Sequence, residues 1–298
     1  MSELKNTHKY IKVNGINMHY VEQGEGSLLL LLHGFPEFWY SWRHQIPELA
    51  KHFHVVAPDL RGYNETDKPK GISAYSISEV TKDILELIEN LGYEKAIVAA
   101  HDWGGAIGYE LGMQHPEKLE KLVILNSPHP SIMKKHLTGN FSQLRRSWYM
   151  FFFQIPLLPE LFMRSNLRKN FKKTFRGWAV NKANFPDAVI EEYVKAFEKK
   201  GALTAAINWY RAALRSWKQP KSAKKPVSVP TLIIWGEDDK ALGKELTYNM
   251  DKYFSAPYKV KYLSNCSHWV QNEYPDKVNE LILEFVAEKP ITSNPNVS

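Results

Sequence analysis

Three residues carry the chemistry this sequence is equipped to perform. Asp102 lies in Ala100-His101-Asp102-Trp103-Gly104, where an apolar run from Ala96 ends at a charged residue and a helix-like segment follows at once. Asp239 closes Trp235-Gly236-Glu237-Asp238-Asp239, and His268 stands in Asn265-Cys266-Ser267-His268-Trp269. Small-x-nucleophile-x-small is the pattern of a nucleophile elbow, a strained strand-to-helix turn where bulk on either side would clash with the crossing strand and helix. Taken singly, a strand-end Asp usually caps a turn and a lone His usually packs. Nucleophile, acid and His in that chain order, each ending a strand-like run, is a far more specific sign. In parallel sheets such ends are where sites gather.

An aspartate at the elbow changes the chemistry. A serine there needs a base before it can attack, whereas a carboxylate is already ionised at neutral pH. It can displace at an sp³ carbon and become an ester of its own side chain. His268 would then take a proton from the water that attacks the carboxyl carbon of esterified Asp102, with Asp239 orienting the imidazolium. Such a site opens strained rings or displaces good leaving groups. With neither Ser nor Cys at the elbow, a peptidase or ordinary lipase is not expected. Cys266, two residues before His268, reads as a small buried hydrophobe.

The elements that must hold these residues alternate along the chain. Residues 10–21 read as a hairpin about Asn14-Gly15. The runs 28–32, 54–58, 96–101 and 122–125 read as strands of a covered parallel sheet, with helices over 38–52, 77–91 and from the elbow to about His115. From about Pro128 to Val227 strands vanish and the sequence turns basic, aromatic-rich and helical in period. Strand character returns at 229–236 and 258–263, a last helix spans 275–287, and the polar tail 291–298 reads as disordered. The expected fold class is α/β, a doubly wound, mostly parallel sheet interrupted by a helical cap. The core is residues 1–128 and 227–298, and the cap is 129–226.

Composition narrows the setting. The 298 residues are 44% hydrophobic and 24% charged, ordinary for a globular chain. No stretch reaches the ~20 apolar residues of a membrane span. The N-terminus lacks the apolar core of a signal peptide, and one cysteine permits no internal disulfide, so a cytoplasmic setting is expected. Charge is unevenly spread: residues 131–225 hold 20 Lys and Arg against 5 Asp and Glu, while the whole chain is only +7. No nucleic-acid motif accompanies the basic stretch, which reads first as a solvated face and second as a weak membrane-surface contact. No metal cluster or phosphate loop is visible, so no cofactor and no metal are expected. Nothing in the sequence sets an oligomeric state.

Five motifs together resemble the epoxide hydrolase group of the α/β-hydrolase fold, related to haloalkane dehalogenases. They are His33-Gly34-Phe35-Pro36-Glu37, Trp42-Arg43-His44-Gln45, Asp59-Leu60-Arg61-Gly62-Tyr63, the elbow, and the late Asp and His. The resemblance runs from Tyr10 to the last helix. It implies the spacing Gly-Glu-x-Asp, which selects Asp239 over Asp238. It also implies an oxyanion hole from the backbone N–H groups of Phe35 and Trp103. One departure is Asn64-Glu65-Thr66 where the family has Gly-x-Ser; Asn tolerates the left-handed conformation Gly would serve.

The leaving group decides the substrate. An epoxide oxygen needs O–H donors, which phenols supply without being cations. A halide needs weak donors such as indole N–H. Tyr149, in Trp148-Tyr149-Met150, and Tyr210, in Asn208-Trp209-Tyr210-Arg211, stand in segments resembling those of the family's ring-opening tyrosines. Trp103 keeps a haloalkane dehalogenase in view, but Phe35 replaces the Asn such enzymes often carry, and Trp103 stands where fluoroacetate dehalogenases carry Arg. A catalytically dead receptor would typically lose a triad member or a donor, and none is lost here. The expected activity is epoxide to vicinal diol. Phe35, Trp103 and Phe153 are the expected substrate contacts, and the apolar run Phe151–Phe162 is an expected source of pocket lining for small apolar epoxides.

Overall fold

The computed structural model describes residues 7–216 and 225–288. Lys218, Lys221 and Lys224 of the basic stretch, and the tail expected to be disordered, lie outside the described residues. The apolar pentapeptide Leu28–Leu32 forms β3, and all five side chains are buried because helices cover both faces of the sheet. β3 lies between β4 (His54–Pro58) and β5 (Ala96–His101). β6 (Leu119–Leu125), β7 (Thr231–Gly236) and β8 (Tyr258–Leu263) extend the sheet on one side, all parallel. On the other side β1 (Thr7–Val13) and β2 (Ile16–Gln23) pair antiparallel, and β2 runs antiparallel to β4. The order is β1-β2-β4-β3-β5-β6-β7-β8. The hairpin turns at Asn14 and Gly15, both at positive φ, as a two-residue turn between right-twisted strands requires.

Helix placement follows the sequence with one correction. The expected helix over 38–52 is instead a 3₁₀ turn at Trp39–Trp42 and a single turn, α1, at Ile46–Leu49. Pro47 explains the break: lacking an N–H, it begins a helix readily but cannot continue one. α2 (Ile77–Asn90) starts at Ser76, whose hydroxyl accepts from the Glu79 N–H, and buries Val80, Ile84, Leu87 and Ile88. α3 (Trp103–Gln114) follows the elbow. After β8, α11 (Val270–Glu273) and α12 (Pro275–Ala287) pack on the other face. Asn64 takes φ 39°, the left-handed backbone foreseen for it, and its amide donates to Asp59 at 2.8 Å.

Between β6 and β7 every named element is helical. These are α4 (Pro130–Gly139), α5 (Phe141–Arg146), α6 (Trp148–Phe152), α7 (Leu158–Ser165), α8 (Leu167–Trp178), α9 (Asp187–Glu198) and α10 (Ala202–Ser216). Aromatic rings form the insertion's core and dock it on the sheet domain. Phe175 stacks on Phe185 and Tyr193 and reaches Trp269, at 4.8 Å between centroids, next to His268.

Candidate active site

The elbow is built by close approach. Asp102 has φ 50° and ψ −113°, a strained backbone for a residue with a side chain. Its N–H donates to the Leu125 carbonyl, and its own carbonyl accepts from the Ser127 hydroxyl at 2.8 Å and from the Ala106 N–H. The flanking residues must be small: a Cβ on Gly104 would lie 2.3 Å from the Leu32 carbonyl oxygen. Across the site a Cβ on Gly34 would lie 2.4 Å from that of Asp102. That absence lets the next residue, Phe35, bring its N–H to 2.9 Å from Asp102 Oδ1. The Trp103 N–H, the other expected oxyanion donor, begins α3, where the helix dipole adds positive potential beside the carboxylate.

Asp102 Oδ2 faces His268 Nε2 at 3.7 Å, and His268 Nδ1 lies 2.6 Å from Asp239 Oδ2. The other oxygen of Asp239 accepts from the Ala241 and Leu242 N–H groups, at 2.7 and 2.9 Å, and Asn126 donates to Oδ2 at 2.7 Å. Burial works against ionising Asp239, but the charge and hydrogen bonds of His268, with Asn126 and the backbone, outweigh it and hold the carboxyl below its usual range. Burial alone would depress the His268 imidazolium, yet Asp239 and then Asp102 push its pKa up to about 9. Asp238 is exposed and Asp239 buried, so the two adjacent carboxylates are distinguished by environment.

Tyr149 on α6 and Tyr210 on α10 stand with ring centroids 5.8 Å apart. Burial, and after it the Asp102 charge, raise the Tyr149 pKa. Burial, then Tyr149 and Asp102, do the same at Tyr210. Both phenols are therefore neutral donors at any physiological pH. Asp102, Trp103, Tyr149 and Tyr210 line one cavity of about 380 Å³. Its apolar walls come from Ile77, Met113, Met133, Met150, Trp209 and Leu242.

Phe35 and Phe153 sit elsewhere than expected. Phe153 is buried and packs edge-on to Tyr210 at 5.0 Å, and Phe35 does so at 5.3 Å, so both brace the phenol rather than line the cavity. The apolar run that was expected to line the pocket is not among the cavity's walls, and six of its members face solvent: Phe151, Ile155, Leu157, Leu158, Leu161 and Phe162. Helical period fixes which residues share a face but not which face turns inward.

Sequence reasoning also passed over the support behind His268. His101 Nδ1 lies 2.7 Å from Glu37 Oε2, and His101 Nε2 lies 2.8 Å from the His268 carbonyl oxygen. Glu37 also accepts from Ser41 and Gln271. Burial opposes its charge, but His101 prevails and holds the carboxyl at about 2. Two residues of α5 in the insertion brace the Asp239 loop as well. Gln143 donates to the Ala241 carbonyl at 2.8 Å and accepts from the Gly243 N–H, and Arg146 donates to the Asp239 carbonyl.

Known proteins resemble this chain over nearly its whole length. The alpha/beta hydrolase fold family model matches residues 27–275. Epoxide hydrolase 1 of Caenorhabditis elegans is 41% identical over 93% of this chain and 70% of its own length. The AB hydrolase superfamily protein YfhM of Bacillus subtilis is 40% identical over 93% of this chain and 97% of its own. Among solved structures, the Bacillus megaterium epoxide hydrolase in complex with an inhibitor superposes with a TM-score of 0.84. It is 34% identical, and the match covers 94% of this chain and 100% of that one. The chain belongs to the epoxide hydrolase family of α/β-hydrolase fold enzymes.

Proposed function

We propose that this protein hydrolyses small apolar epoxides to vicinal diols through an ester on Asp102, with residues 129–226 acting as the cap. The observation that carries this reading is the joint placement on one cavity of Asp102 and the two phenols. An oxygen of Asp102 attacks a ring carbon and the C–O bond breaks. Tyr149 or Tyr210 gives its proton to the departing oxygen. Ester formation removes the Asp102 charge, so the imidazolium of His268 becomes more acidic and returns a proton to the phenolate. Neutral His268 then takes a proton from water as it attacks the carboxyl carbon. The Phe35 and Trp103 N–H groups hold the oxyanion. Collapse releases the diol, protonated by His268, and the carboxyl proton of Asp102 passes back to the imidazole.

The reacting partners are the epoxide and water. Trp103 forms a wall against the substrate, while Phe35 and Phe153 act on it through Tyr210, whose ring they hold. We assign the protein to the cytoplasm, where its one thiol, the buried Cys266, stays reduced. No helix of the described residues is long and apolar enough to cross a membrane.

The test is a single turnover of a styrene-type epoxide in ¹⁸O water. The ester route puts the label in Asp102, found by mass spectrometry of its peptide. Label in the first-turnover diol alone means direct attack by water and overturns the mechanism. Turnover of haloalkanes with none of epoxides overturns the substrate assignment.

A further inference from the structure

The described residues leave fourteen large hydrophobic side chains exposed, and nine of them fall between residues 141 and 162. Four of the other five are tyrosines outside the insertion, so the cluster is not a general property of this surface. The half-buried Phe152 links two of them, meeting Trp148 and Phe162 each at 5.9 Å between ring centroids and so joining α6 to α7. Leu157, 72% exposed, is held at φ 64°, a conformation a bulky residue rarely adopts, at the corner that leads into α7. A water-facing patch of this kind marks an interaction surface.

Charge says what it meets. From residue 134 to 173 the sequence holds nine Lys and Arg and a single acid, Glu160. Glu160 is consumed by Arg211, at 2.6 Å. Arg145 on α5, Arg164 on α7 and Lys169 in the first turn of α8 are exposed. A second copy of the chain would bring like charges together. An anionic phospholipid surface would receive both the cations and the apolar side chains, with Trp148 at headgroup depth.

We propose that the α5–α7 face docks on the surface of an anionic bilayer. α6 connects that contact to the cavity within one helix thickness. Its Trp148 and Phe151 point outward, while its Tyr149 and Met150 line the cavity. An apolar epoxide dissolved in the bilayer thus reaches the site without crossing bulk water.

The experiment is co-sedimentation of the full chain with vesicles of phosphatidylcholine, alone or mixed with phosphatidylglycerol. The mixed vesicles are expected to bind the protein, less so at high salt, and plain phosphatidylcholine to bind it much more weakly. Leu157→Ser with Phe162→Ser is expected to lower partitioning at least about tenfold, and Arg164→Gln with Lys169→Gln about fivefold for each charge removed. Thermal unfolding and turnover of a water-soluble epoxide should remain at wild-type values, showing that the variants fold. Absence of binding, equal binding to neutral vesicles, or unchanged binding by both variants overturns the proposal. So does a dimer in sedimentation equilibrium that Leu157→Ser with Phe162→Ser abolishes, since the face would then belong to a second copy.

Discussion

Replacing Asp102 by Asn tests the electrostatic core of the mechanism, because it removes a charge while keeping the shape and the acceptor for the Phe35 N–H. Asp102 Oδ2 lies 3.7 Å from His268 Nε2, and the His268 side chain is 2% exposed. At an effective dielectric constant of about 20, one unit charge at that distance is worth about 4 kcal/mol. At about 1.4 kcal/mol per pKa unit this corresponds to a shift of about 3 units. In bulk water the same pair would give a shift of less than about 1 unit. The His268 pKa, held up at about 9 in the native protein, should therefore fall by about 3 units in Asp102→Asn, as the local dielectric is far from that of water. The assay is an NMR titration of the ¹⁵N-labelled imidazole. A raised folded pKa means that the coupling stabilises the protein fully below the ordinary value of 6.5. That contribution is lost as pH rises through about 9, and the high-pH loss should be smaller in Asp102→Asn. A His268 pKa that does not move would show that Asp102 does not govern its protonation. The account of how ester formation frees the base would then fail.

Other outcomes follow from the same geometry. Tyr149→Phe and Tyr210→Phe should each lower kcat/KM for an epoxide about tenfold to hundredfold, and the double variant more than about a thousandfold, read by steady-state kinetics; unaffected turnover in the double variant would remove the phenols from the reaction. Asp239→Asn should cost about 10²- to 10⁴-fold in turnover while exposed Asp238→Asn costs nothing measurable. Gly104→Ala should lower the unfolding free energy by about 3 kcal/mol in urea titrations, since the new Cβ meets the Leu32 backbone rather than a movable side chain.

The readability of this chain depended on the range of each signal. β3 and β5 were legible because buried parallel strands read apolar without a break, and α12 because its period and its initial Pro275 mark both phase and start. The elbow was legible because its small residues are contiguous in sequence. The brace from Glu37 through His101 to the His268 carbonyl was not. It joins residues 64 and 167 positions apart, and nothing in either local pattern points to the other. Asn126 and Ser127 were missed for a related reason: they directly follow β6, and the parallel registers of β5 with β6 and of β6 with β7 bring them beside Asp102 and Asp239. The outward turn of Phe151, Leu161 and Phe162 went the opposite way from expectation. An apolar run in a helical segment reads as interior lining, and a run that faces outward has the same composition.

Gln143 and Arg146 bear on how this protein can be rebuilt. Both belong to the helical insertion, yet one clasps the Ala241–Gly243 turn and the other holds the Asp239 carbonyl. A chimera that exchanged the whole insertion at its two chain crossings would carry off these clasps and loosen the acid that orients His268. Its loss of rate would be mistaken for a poor substrate fit. Grafts intended to change which epoxides are accepted should therefore splice after Ser147, leaving α4 and α5 with the sheet that they help to fasten.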